Sequence, residues 1–142
     1  MEVEFSFREE HSSIFGPINR PVVEVVYFNR DKEVEGIPYL DSGADVSLIP
    51  KSLGEFLGLS MEKGDSISEM KGVGEIGIPV IIKKINLRIG TKVLDTRIAW
   101  ALIEEVPLLI GRIDIFNIFD ITFKRNEKTL FSERGNIKKE AL

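Results

Sequence analysis

The chain has no cysteine. Disulfides, thiol nucleophiles and thiolate metal sites are therefore excluded. It has one histidine, His11, which argues against a His-rich metal centre and against a Ser-His-Asp triad. Excess basic charge is lacking too. Nineteen Lys and Arg face 23 Asp and Glu, for a net charge of −4. With no basic block, nucleic acid is not an expected partner. No apolar run approaches the length of a membrane span. The opening Met1-Glu-Val-Glu-Phe5 has neither the basic nor the apolar region of a signal peptide. These absences lead to the expectation of a soluble, cytoplasmic protein with no membrane partner. Internal repeats, linkers and low-complexity segments are also missing.

What remains is 142 residues, 43% hydrophobic and 30% charged. That is enough for one domain with a real core and too little for two ordinary ones. Val3, Phe5 and Phe7 alternate with polar residues and predict a first strand. His11 to Pro21, rich in Ser, Gly and Pro, predicts a loop. Val22–Phe28 is a β-branched and aromatic run, followed by a turn at Asn29–Lys32. Val34–Leu40 predicts the return strand. Val46–Ile49 is a short apolar segment. Pro50 opens a predicted helix with Leu53, Phe56 and Leu57 on one face and a stop at Gly58. Leu59–Lys71 reads as irregular. Ile85, Leu87 and Ile89 alternate, Gly90-Thr91 turns, and Val93 to Ala101 returns. Pro107–Gly111 predicts a buried strand end, and Arg112 to Asn117 one or two helical turns. Phe119–Lys124 and Lys128–Phe131 predict two last strands around a turn at Asn126-Glu127. Many short strands with one or two short helices imply a mostly-β, barrel-like domain. Residues 1–20 form an N-terminal extension packed on the domain, 21–134 the domain, and 135–142 a charged tail.

The chemistry concentrates in Leu40-Asp41-Ser42-Gly43-Ala44-Asp45. An Asp-Ser-Gly turn alone is ordinary. The five-residue pattern Asp, Ser or Thr, Gly, Ala, acid should occur by chance in roughly one in a thousand chains of this length. It is entered from an apolar strand and left through an apolar segment and a helix. An Asp on such a turn is how aspartic peptidases present a catalytic carboxylate. That chemistry needs two facing carboxylates, and the chain holds the signal once. If Asp41 is catalytic, the chain is half a site.

Gly72-Val73-Gly74-Glu75-Ile76-Gly77 spells G-x-G-x-x-G. A dinucleotide site would need a helix after it, and Ile78-Pro-Val-Ile-Ile82 is strand-like. A flap hairpin closing over a peptide fits better.

With Leu108-Leu109-Ile110-Gly111-Arg112 as a third motif, the chain resembles the retropepsin-like aspartic peptidases, single-domain relatives of pepsin, over roughly Arg20 to Phe131. The resemblance implies a closed-barrel-like single acid-protease lobe with a flap hairpin. It implies an aspartic endopeptidase that acts on polypeptide as a homodimer, with Asp41 from each subunit in the dyad, and no metal or other cofactor. Two carboxylates a few ångströms apart cannot both ionise cheaply, so the pair shares a proton. Ser42, Gly43 and Ala44 support the catalytic loop. Asp45 and Arg112 form a structural ion pair. Gly72, Val73, Gly74 and Glu75 lie in the flap. Ile103 and Val106 lie in the substrate wall. Trp100 is core or pocket lining. Asp114 and Asp120 are expected in helix-capping and strand-surface roles. Two other readings stand beside this one: a catalytically silent dimeric peptide-binding or assembly module, and an enzyme whose cleft is occupied by Ser12 to Pro21.

Overall fold

The computed structural model describes residues 1–72 and 77–133. The chain opens with β1 (Glu2–Ser6), β2 (Arg8–Ser12) and β3 (Gly16–Arg20). The β4 (Val25–Asn29) and β5 (Lys32–Gly36) strands form a hairpin whose turn places Arg30 at φ 56. Then come β6 (Tyr39–Leu40), β7 (Ser47–Ile49), α1 (Lys51–Phe56) and β8 (Ser68–Met70). The long β9 (Ile78–Ile89) and β10 (Lys92–Ala101) follow, then β11 (Leu109–Ile110), β12 (Phe119–Lys124) and β13 (Lys128–Glu133).

Strands β5, β4, β9, β10, β7, β11 and β6 lie in that order, with β8 on β9, and curl into a half-barrel. The β1, β13 and β12 strands make a second sheet, and β2 pairs with β3 in a third. The segment ahead of Arg20 is thus built into the fold, because β1 runs antiparallel along β13 from Glu2↔Ser132 to Ser6↔Lys128.

Strand alternation sorts the side chains of the half-barrel onto two faces. Leu94, Ile98 and Trp100 on β10 join Ile81, Ile85, Leu87 and Ile89 on β9 in the main core. Phe5, Phe119 and Phe131 close that core from the second sheet, with edge-to-face ring contacts at 5.7 and 5.3 Å. The other face carries a smaller cluster of Leu48, Val80, Ala99 and Ala101. Each fully buried large side chain contributes about 1.5–3 kcal/mol, several times an exposed ion pair. The core therefore sets the half-barrel, and surface charges adjust it.

The mostly-β, barrel-like architecture expected from the sequence is present, with local differences. His11–Pro21 is not a loop but largely the β2–β3 hairpin. Ser12 Oγ accepts the amides of Ile14 and Phe15 at 3.2 Å, and Gly16 takes φ 73, which closes a tight turn. The expected strand Val34–Leu40 breaks at Ile37-Pro38, since Pro cannot donate to a ladder. In α1 and at its C-cap, Gly54 and Leu57 are buried, Leu53 is half-buried, and Phe56 is 55% exposed. Phe56 lies to one side of the stripe formed by the other three. The stretch read as irregular, Leu59–Lys71, contains β8. Arg112–Asn117 forms turns but no regular helix, because Asp114 adopts φ 67. The helical bonds Phe116 N–H to Arg112 O (3.0 Å) and Phe119 N–H to Ile115 O (3.3 Å) nonetheless form. Among the described residues, no helix is long and apolar enough to cross a membrane.

Candidate active site

Asp41 stands where β6 ends. β6 runs parallel to β11, which also pairs antiparallel with β7. The Asp41 amide donates to Ile110 O at 2.9 Å, which carries the β6–β11 pairing one residue past the strand. The chain then folds back, with Ala44 N–H donating to Asp41 O at 3.1 Å. The carboxylate accepts the Gly43 amide on Oδ1 at 2.9 Å. A Cβ on Gly43 would come within 3.2 Å of that same oxygen, so glycine keeps the approach open.

Gly111 passes behind the loop. A Cβ there would meet Val46 C at 2.6 Å, Val46 O at 2.7 Å and Ala44 O at 2.9 Å, all of them backbone. No side chain fits. Gly111 donates its amide to Ser47 Oγ at 3.0 Å, and Ser47 is wholly buried. The next two amides, of Arg112 and Ile113, donate to Ala44 O (3.0 Å) and Asp45 O (2.8 Å). The loop after Asp41 is therefore held by backbone bonds from a segment about 70 residues later.

Arg112 completes this clamp. Its Nη1 donates to Ser42 O at 3.2 Å, and its Nη2 is bonded to the Asp45 carboxylate. Both side chains are open to solvent, Arg112 49% and Asp45 78% exposed. On one subunit the contact therefore adds little stability.

Asp41 and Gly43 line a groove of about 720 Å³. The facing wall comes from β8 and β9 and includes Met70, Ile78 and Ile82, and Leu48 and Leu109 lie on the near side. A second hollow of about 360 Å³ adjoins Asp41 on its Pro21, Tyr39 and Leu40 side. Among the described residues, no three His, Asp or Glu side chains gather where they could hold a metal.

No protein-family model matches the chain, and no curated protein matches it. Solved structures do. One is a retropepsin-like aspartic protease from Rickettsia conorii, at 11% identity and TM-score 0.61, covering 92% of this chain and 91% of that one. The fold is retropepsin-like. An EIAV protease complexed with the inhibitor HBY-793 is also similar, at 20% identity and TM-score 0.46, over 66% of this chain and 82% of that one.

Within this retropepsin-like lobe, the first and third motifs meet as one unit. Of the Gly-rich motif, only the two ends, Gly72 and Gly77, are described. β8 pairs with the start of β9 from Ser68↔Val80 to Met70↔Ile78, and Gly72 lines the groove. Val73, Gly74 and Glu75 fall outside the described residues. Ile103 and Val106 are not among the residues that line the groove. Val106 packs on the small cluster whose Leu48 and Val80 line the groove, and Ile103 O accepts the Lys51 amide at 3.2 Å. Pro107 and Leu109 take the expected place, a shift of a few residues along the chain.

Trp100 is core. Its indole N–H donates to Lys51 O at 3.1 Å and its ring covers Gly54. Ser12 to Pro21 lines neither the groove nor its walls, though Arg20 and Pro21 border the second hollow. Sequence reasoning missed Ser47. Its one signal was a hydroxyl inside the apolar run Val46–Ile49, where burial demands a partner.

Proposed function

We propose that the chain is an aspartic endopeptidase whose active site is completed by a second copy of itself. The observation that carries this reading is the placement of Asp41. It sits on a glycine turn clamped by Gly111 and Arg112, at the edge of an open, largely apolar groove. Such a clamp keeps a carboxylate fixed while substrate and water change around it.

In this reading a second Asp41 faces the first, and the pair shares one proton. The ionised carboxylate takes a proton from a water molecule as that water attacks the peptide carbonyl. The protonated carboxylate donates to the carbonyl oxygen as the tetrahedral intermediate forms. Two carboxylates and a water suffice, with no cofactor. The substrate is an extended polypeptide with apolar side chains around the cut, as Leu48, Met70, Ile78, Ile82 and Leu109 favour. The β8–β9 hairpin acts as the flap and offers strand edges for its backbone.

The test is cleavage of a mixed peptide library by the wild type and by Asp41→Asn, from about pH 3 to 7, a range that brackets a shared dyad. Cleavage by the wild type alone supports the reading. A stable dimer that cuts nothing across this range overturns it in favour of a silent peptide-binding module.

A further inference from the structure

The β2–β3 hairpin has a rooted end and a bare end. At the root, Glu10 accepts the Tyr39 hydroxyl at 2.7 Å and pairs with Arg20 at 3.0 Å. Arg8 lies over the Tyr39 ring, 5.3 Å from its centre. Asn19 Nδ2 donates to Asn126 O at 3.2 Å. At the tip, Ile14 is 81% and Phe15 76% exposed. Ser12 to Ile18 carries no charge. Single exposed apolar residues are normal, but two adjacent large ones on a tight, bonded turn mark a contact surface.

The root fixes where that surface stands. Tyr39 is two residues before Asp41, and Arg20, Pro21, Tyr39 and Asp41 line one hollow. Five residues per strand at about 3.3 Å each carry the tip roughly 15 Å from the root. Whatever brings a second carboxylate to Asp41 must come close beside this arm.

The same chain offers a receptor. Two adjoining hollows of about 430 Å³ each share Phe5, Glu24 and Ile37. Val3, Val22 and Val25 add apolar lining, and Ile37 is 45% exposed. On the order of 150 Å³ is enough for a benzene ring. Arg8, at the arm's root, borders one of them, so arm and hollow are neighbours on one flank. In a two-fold dimer, an arm of one copy that meets a hollow of the other is matched by the reciprocal contact.

We infer that the β2–β3 hairpin is a dimer arm: Ile14 and Phe15 of one copy seat in the hollow beside Ile37 and Phe5 of the other. The inference rests on the homodimeric reading of the site, and it explains why an uncharged turn with two bare apolar side chains is held rigidly beside half an active site. A membrane is the less favoured occupant. Arg8 and Arg20 at the root are offset by Glu9 and Glu10, whereas a membrane-dipping loop carries a basic rim.

The test compares the wild type with Ile14→Ser/Phe15→Ser by analytical ultracentrifugation and peptide cleavage. The wild type is expected to sediment as a dimer. The variant, changed only at exposed positions, should keep its thermal transition and dimerise about tenfold or more weakly. Its cleavage should fall at low protein concentration and recover at high concentration. The absence of Cys allows a direct check. Ile14→Cys and Ile37→Cys proteins, each uncross-linked alone, should form a mixed disulfide dimer when oxidised together. Equal dimer affinity in wild type and arm variant, or no mixed disulfide from a dimeric pair, overturns the arm but leaves the homodimer. A wild type that stays monomeric while cleaving peptide overturns both. A monomeric wild type that binds phosphatidylcholine–phosphatidylserine vesicles, and loses binding in the arm variant, overturns the arm in favour of a membrane contact.

Discussion

Arg97 holds Asp114 on three hydrogen bonds. Its Nε and its own backbone amide both donate to Oδ2 at 2.9 Å, and Nη2 donates to Oδ1 at 2.9 Å. The two residues lie on different elements, β10 and the turn that follows the Gly111 motif. The contact pins that turn, and with it Arg112 two residues upstream, to the half-barrel.

The same contact gives acid sensitivity. Hydrogen bonds from the Arg97 side chain, then from its amide, lower the Asp114 carboxyl from its ordinary 3.8 to about 2. A carboxyl lowered on folding adds stability that is complete above its unfolded value, near 3.9. That stability is lost as pH falls from about 4 through about 2. The pair is partly exposed, so its screened contribution is about 1 kcal/mol. Asp114→Asn should therefore melt lower than wild type at pH 7, and the gap should close near pH 2. Thermal scans across that range measure it.

Gly111→Ala should damage the loop rather than the rest of the fold. The added Cβ meets backbone at 2.6 to 2.9 Å, which cannot rotate away. Overpacking of this kind costs about 1–3 kcal/mol. The expected result is a folded protein, a few degrees less stable, with cleavage lost because the Asp41 loop has moved. Circular dichroism melting and the peptide assay check the two halves.

Gly54→Ala runs against helix propensity. In an exposed helix interior the change would stabilise by about 1 kcal/mol. Here a Cβ would lie 2.1 Å from Trp100 Nε1 and 2.3 Å from Cδ1. The ring must move and give up its bond to Lys51 O. A net loss of about 2 kcal/mol is expected. Trp100 is the sole tryptophan, so a red-shifted emission would report its displacement directly.

Arg112→Ala separates subunit stability from assembly. Its partners, Asp45 and Ser42 O, are solvent-exposed, so the thermal midpoint of the isolated subunit should shift by less than about 1 kcal/mol in stability. Dimer affinity and cleavage should fall by more than that, because Arg112 fixes the Ser42 peptide at the proposed interface. Sedimentation and activity measured on one preparation decide it.

How much of this could be read in the sequence depends on how local the cause is. The Asp41 turn and the β9–β10 hairpin were legible, because a turn motif or a period of two identifies each within a few residues. The Asp45–Arg112 pair, 67 residues apart, was implied only by the resemblance. The β2–β3 hairpin was not legible, because Ser12, Gly16 and Pro17 signal a loop as readily as a turn. Pro17 sits opposite His11 in the short ladder, where an edge strand tolerates it. The Arg97–Asp114 contact joins residues with no pattern between them. On the near side, Pro107 and Leu109 rather than Ile103 and Val106 line the groove, and β11 takes its register there from β6 and β7, both more than fifty residues earlier.

That distant register has a consequence for synthesis. Asp41 leaves the ribosome early, but the bonds that hold its loop come from Ile110, Gly111, Arg112 and Ile113. A nascent chain that ends before these residues has the aspartate and no clamp. Contacts over such separations also form slowly, because the intervening chain must be ordered first. On the proposed reading, a copy made only as far as β10 carries Asp41 but cannot yet hold it in place for catalysis.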